Sequence, residues 1–245
     1  MSVRSFSRFL FVVKRVQSRN LINRTFTPRF KPFSLLQSNR SSAQASHVTC
    51  WKCQQPISEQ SAQFCPACES IQPAPSTNSD IDYFKYMGFK KSFDLNHKAL
   101  SDRFKAMQTK LHPDKFSQHS EEERQYSADQ SSYLNSAYRT LEKPLSRALY
   151  LLQLHGIGLK EGEIQVKPHF LAEMMELNET AAECKDKDKL RKMAEDNLNR
   201  LKALESELME YFQAKDVEAA RNTAVLMKYY ATLQENIEDR LGIDG

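Results

Sequence analysis

An all-α protein is what the 245-residue chain predicts, built as a helical hairpin and a three-helix bundle behind a small four-cysteine unit. Three observations lead there. Glycine occurs only 6 times, and the second half is rich in Leu, Ala, Glu and Lys, all strong helix formers. Beyond Asp80 the apolar residues recur at helical spacing. Ahead of that point, Cys50, Cys53, Cys65 and Cys68 form two Cys-x-x-Cys pairs, the signature of a compact metal-held unit.

Residues 1–46 read as a leader. Ten Lys/Arg precede the first carboxylate, Glu59. Their interleaving with Ser and Phe in "SVRSFSRFLFVVKRVQSRNLINRTF" has the character of a mitochondrial transit peptide. "FLFVV" is too short for a secretory h-region, and no uncharged apolar run approaches the ~18 residues that would span a bilayer. The expectation is a mitochondrial matrix protein without membrane insertion, and an uncleaved cytosolic pool is compatible with the same residues. From Lys160 onward there are 13 basic and 19 acidic residues. The whole-chain charge of +4 therefore reflects the leader more than the folded body.

The four-Cys unit spans 47–72. Four thiolates in two short chelate loops suit one tetrahedral ion, which makes Cys50, Cys53, Cys65 and Cys68 candidate ligands of a structural Zn²⁺. Spacing alone does not separate zinc from iron. A closed thiolate shell leaves no position for a reactive water. Trp51 and Phe64 are expected to form a small core beside the metal; their alternative use, stacking on bases, has little positive charge around it. Residues 73–79, Pro- and Ser-bearing, are expected to be a linker.

A helical hairpin module is expected over 80–155. A short helix over 81–89 should end at Gly88. A second should run from about Asn96 to Leu111, capped by Asp94 or Asn96, with Leu100, Phe104, Met107 and Leu111 on one stripe. A third, from about Glu122 to Leu141, should bury Tyr126, Leu134, Ala137, Tyr138 and Leu141, and "KPLSRALYLLQLHGIG" should continue it. Between helices two and three stands "HPDKF". Pro113 lacks an N–H and forces His112 out of α geometry, at about 3 kcal/mol inside a helix, so helix two must stop there and leave Asp114 projecting. His112 with Asp114 has the composition of a base and its orienter, but no nucleophile or oxyanion motif accompanies them. The protein is not expected to be an enzyme.

Residues 156–245 should form an antiparallel three-helix bundle. Pro168 stands at a first-turn position. Leu190, Met193, Leu198, Leu201, Leu204, Leu208 and Phe212 run close to heptad spacing. Ala220, Ala224, Met227, Tyr230, Ala231 and Leu233 lie near one face of the last helix.

"HPDKF", between a basic amphipathic helix and an antiparallel partner with a short helix ahead, resembles the J-domain family. "DYFKYMGF", "LHPDKF", "LNSAYRTLEKPLSRALYLLQLHG" and "FLAEMMELNE", in that order, narrow the likeness to the HscB family of J-type co-chaperones of iron–sulfur cluster assembly. It covers roughly 80–245, and the leader and four-Cys unit resemble the mitochondrial form found in animals. The resemblance implies a mitochondrial DnaK-type (heat-shock 70 kDa class) chaperone as one partner. His112, Pro113 and Asp114 would make that contact, with Arg103, Lys105, Lys110 and Lys115 as electrostatic helpers. It implies an IscU-type scaffold as the second partner. Leu171, Met175 and Tyr229 would hold it, rimmed by Glu173, Glu176 and Glu179, for cluster transfer to apoprotein recipients. From periodicity alone Leu171, Met175 and Tyr229 read as bundle core. The alternatives are a general mitochondrial J-protein with another client and a zinc-ribbon nucleic-acid binder; the acidic bundle disfavours the second, and no nucleic-acid partner is expected.

Overall fold

The computed structural model describes residues 48–57, 62–76, 81–158 and 166–242. The expected leader over 1–46 lies outside the described residues. The described residues open with a two-stranded antiparallel ribbon, β1 (Val48–Thr49) and β2 (Pro56–Ile57), followed by an isolated antiparallel bridge between Phe64 and Ile71; their remaining regular structure is helical.

Helix α1 (Tyr83–Met87) starts where the Asp82 carboxylate accepts the Lys85 N–H at 2.9 Å and stops at Gly88. Gly88 has φ 78°, the left-handed conformation that glycine adopts without a Cβ clash. Helix α2 (His97–Leu111) is capped by Asn96, whose Oδ1 accepts from Ala99 at 2.9 Å. Helix α3 (Glu121–Glu142) is capped by Ser120 and runs back along α2. The expected stripes lie inside the hairpin: Leu100, Met107 and Leu111 are buried against Leu134, Ala137 and Leu141. Phe104 and Tyr138 are half-buried and stack at 4.2 Å.

The sequence predicts that α3 continues through "KPLSRALYLLQLHGIG". It does not. Lys143 is extended (φ −83°, ψ 125°), and a new helix, α4 (Pro144–Leu154), starts at the proline. Proline excludes α geometry from the residue before it, yet its own fixed φ suits a first helical position. The break lets α4 turn away from α3 and pack against the bundle. Helix α1 is held between α3 and α4: Tyr133 Oη donates to the Ile81 carbonyl, and Tyr150 Oη accepts the Tyr83 N–H, both at 3.0 Å.

The bundle consists of α5 (Pro168–Glu183), α6 (Lys187–Ala214) and α7 (Val217–Leu241). Lys215 takes the left-handed conformation (φ 58°), so α6 and α7 reverse in two residues and lie along each other. The seam of α6 differs from the one expected. Leu198 is 42% exposed, while Asn197 is buried. Counting seven from Leu190 gives Asn197 and then Leu204, the spacing that keeps one seam inward. A polar residue holds the inward position because its amide is used: Nδ2 donates to the Tyr230 carbonyl at 3.0 Å and to Gln234 Oε1 at 2.8 Å. Leu198→Ser should therefore cost under about 0.5 kcal/mol in urea melts. Leu204→Ala, at full burial, should cost about 3 kcal/mol. Equal costs would contradict this seam. No helix among the described residues is long and apolar enough to cross a membrane.

Candidate functional site

Three groups of side chains stand out. The first is the turn between α2 and α3. His112 leaves α2 in extended geometry, as Pro113 requires, and Pro113–Phe116 form one 3₁₀ turn. His112 Nδ1 accepts the Asp114 N–H at 3.3 Å and lies 3.5 Å from Asp114 Oδ2. The Asp114 side chain is 89% exposed. Phe116 anchors the turn in the core. From α3, Ser127 Oγ donates at 2.7 Å to the Leu111 carbonyl, one of the acceptors that the broken helix leaves open.

A shallow depression of about 470 Å³ lies beside the turn, lined by Phe104, Lys105, Gln108, Thr109, His112, Asp114 and Lys115. The fold thus brings Lys105, His112, Asp114 and Lys115 together. Lys110 and Arg103 do not line it; Arg103 Nε instead donates at 3.2 Å to the Met87 carbonyl at the end of α1. The arrangement presents cations and a bare carboxylate around a fixed turn, which is the form of a docking surface. Thr109, the hydroxyl in the lining, donates to the Lys105 carbonyl of its own helix at 2.8 Å.

The second group is the four thiols. The Sγ atoms of Cys50, Cys53, Cys65 and Cys68 all lie within 4.8 Å of one another. Cys50 to Cys68 and Cys53 to Cys65 are both 3.7 Å. Zn–S bonds of about 2.3 Å in a tetrahedron give S···S edges of about 3.8 Å, so the cluster is sized for one ion. The chain turns back after each pair: Gln54 N–H donates to Cys50 O, and Glu69 N–H to Cys65 O. Lys52 N–H points at Cys50 Sγ and Ala67 N–H at Cys65 Sγ, each at 3.4 Å. Such donors favour thiolate over thiol. Burial raises the Cys50 pKa, but hydrogen bonds from Ser70, two backbone N–H groups and Gln72 outweigh it and bring it to about 5.

Trp51 and Phe64 do not make the core of this unit, as the sequence suggested they would. That core is Cys50, Ile57 and Cys65, with Cys53 and Ala62 against it. Phe64 joins the main core, and the Trp51 ring meets Tyr126 of α3 edge-on at 5.4 Å. The unit has too few apolar side chains of its own, so its aromatics bury themselves on the neighbouring hairpin.

That docking runs through residues other than the four cysteines and the His-Pro-Asp turn. Lys52 Nζ is 3.0 Å from Glu123 Oε1 in the first turn of α3. The Lys52 hydrogen bond holds the Glu123 carboxyl below the usual range despite its burial. Gln130 of α3 accepts from Tyr86 Oη at 2.6 Å and donates to the Gln72 and Pro73 carbonyls at 3.0 and 3.1 Å. "SEEE" (120–123) has the S-x-x-E pattern of a capping box, which marks Glu123 as a first-turn residue. Nothing local announces its pairing with a lysine 71 residues earlier.

The third group is on the bundle. Met174 is buried between α5 and its neighbours, but Leu171 and Met175, one turn apart, are only half-buried. Tyr229 on α7 is 38% exposed, its ring set edge-on to Phe170 at 5.6 Å. Glu173, Glu176 and Glu179 are exposed. The reading of Leu171, Met175 and Tyr229 as buried core is therefore not what the fold does with them.

Comparison with known proteins agrees with this architecture. The family model of the HSCB C-terminal oligomerisation domain matches residues 166–238. The chain is 33% identical to the human iron–sulfur cluster co-chaperone protein HscB over 217 residues, covering 87% of this chain and 90% of the human one. The Arabidopsis thaliana HscB homologue is 34% identical over 205 residues, with 83% and 79% covered. The crystal structure of the human protein superposes with a TM-score of 0.72 over 79% of this chain and 98% of that one. The Vibrio cholerae HscB structure gives 0.58 at 32% identity, over 65% and 97%. With the two-part helical fold, the His-Pro-Asp turn and these relatives in hand, the chain belongs to the HscB family of iron–sulfur cluster co-chaperones.

Proposed function

We propose that the chain joins a DnaK-type chaperone to an IscU-type scaffold so that a finished cluster passes to apoprotein recipients. Its J-type hairpin docks the chaperone and stimulates ATP hydrolysis there. The bundle presents the scaffold. What supports this reading is that one chain carries both a charged, exposed turn at His112–Asp114 and, on other helices, the partly exposed apolar side chains of Leu171, Met175 and Tyr229 with exposed Glu173, Glu176 and Glu179. Lys105 and Lys115 steer an acidic partner toward the turn, which affects encounter rate more than affinity. Arg103, partly occupied by α1, and Lys110 contribute at longer range. Two partners held on one chain meet at raised local concentration without any new contact between them. The four thiolates hold a structural Zn²⁺. The leader sends the chain to the mitochondrial matrix.

Asp114→Ala tests the reading. The side chain is almost fully exposed, so the fold should survive. Losing a central contact costs about 2 kcal/mol or more, which should raise the half-stimulating concentration in a chaperone ATPase assay about 30-fold. Scaffold affinity by calorimetry should not change. Normal stimulation by the variant would defeat the proposal.

A further inference from the structure

We infer that the metal-loaded four-Cys unit is a positioning element for the His-Pro-Asp turn, acting through Lys52 and Glu123. The inference rests on reading that turn as the chaperone contact.

Lys52 lies inside the first Cys-x-x-Cys loop, so an ion held by Cys50 and Cys53 fixes its backbone. Its N–H already points at Cys50 Sγ. From there Nζ reaches Glu123 Oε1 at 3.0 Å, and the Glu123 side chain is only 9% exposed. The other carboxylate oxygen lies 3.4 Å from His119 Nδ1. The His119 ring rests 5.1 Å from that of Phe116, the buried end of the 3₁₀ turn that carries Pro113 and Asp114. A continuous set of contacts therefore runs from the thiol cluster to the turn. It also ties down both ends of the Ser117–Ser120 connection into α3.

The unit is poorly equipped to keep its shape without an ion. Its strands are two residues each, and two of the three buried residues in its core are themselves cysteines. In a site of this kind the free energy of metal binding is the free energy of folding. Losing the ion frees Lys52 and leaves Glu123 a buried carboxylate without its cation. The first-turn N–H groups of α3 compensate only in part. Phe116 and Ser127 still anchor the turn independently of the unit, so the expected result is a looser turn and not an unfolded hairpin.

The test uses the full chain in three forms: zinc-loaded, stripped by chelator with metal content checked by native mass spectrometry, and zinc-loaded Lys52→Met. Methionine keeps the stem and removes the charge. Amide hydrogen exchange over 114–119 should speed up about tenfold in the stripped and Lys52→Met forms, with the helical circular dichroism of Lys52→Met unchanged, so that the hairpin is shown to be folded. Lys52→Arg should restore the slow exchange. In the ATPase assay the same two forms should need several-fold more co-chaperone for half-stimulation while reaching the same maximal rate. Exchange at 114–119 that ignores both metal removal and Lys52→Met overturns the inference, whatever the ATPase does. A wild-type chain that fails to stimulate ATPase at all counts against the proposed function instead, since the exchange readout does not depend on a chaperone.

Discussion

Arg147→Ala should lower stability by about 3 kcal/mol, read as a shift in the urea midpoint. Arg147 is 2% exposed, among the most buried side chains of the described residues and the only charged one in that group. Its NH1 donates to the Leu141 carbonyl at 2.7 Å, one of the acceptors left open where α3 ends. NH2 lies 3.6 Å from Glu205 of α6, and Cζ sits 4.8 Å from the centre of the Phe93 ring. Phe93 in turn stacks on Phe212 of α6 at 5.3 Å. One guanidinium thus closes the end of α3, covers the α1–α2 loop and pairs with the bundle. Burial lowers its pKa, opposed by Glu205 and Asp94, but arginine remains charged in any such setting. Breaking a buried pair costs about 3–5 kcal/mol. The lower end applies because Glu205 is a third exposed and can rehydrate. Arg147→Met should recover part of the loss by refilling the volume. Wild-type stability in Arg147→Ala would mean that the junction is held by its apolar contacts alone.

The second large effect is functional. Met175→Asp should weaken scaffold binding by about 100-fold or more in calorimetry, the scale of about 3 kcal/mol expected at a central interface residue. Because Met175 is only half-buried, the melting curve should move little. Its neighbour supplies the control. Met174 is 2% exposed, so Met174→Asp should unfold the bundle by burying a carboxylate without a partner. Glu176→Lys, on the rim, should alter the salt dependence of association more than its strength. If Met175→Asp binds scaffold normally, the patch is not the binding face.

Fold class, helix order and turn position were legible because each rests on a local signal. Pro113 ends α2, Gly88 ends α1, and apolar spacing marks the buried faces. What stayed hidden depends on tertiary partners. The sequence carried the third helix through Pro144, because its apolar spacing runs on; the proline instead opens a new helix, and the packing of α4 on the bundle is what the break serves. At 197 and 198 the hydrophobic pattern points to the leucine; the seam takes the asparagine because α7 offers it two acceptors. The four thiols were found by spacing alone. The pairing of Lys52 with Glu123 was not, since no periodicity links a metal knuckle to a helix cap. For Leu171, Met175 and Tyr229, periodicity suggested core; partial exposure at the edge of the bundle depends on where the neighbouring helices stop.

The one-residue gap at Lys143 bears on the two-partner role proposed above. With a flexible tether, local concentration is set by a random walk and falls gradually as the tether lengthens. Here α4 follows α3 after a single residue and is clasped to α6 and α7. The spacing and angle between turn and patch are therefore fixed, like the jaws of a calliper. In the proposed role, such a frame would select clients by size and not only by affinity.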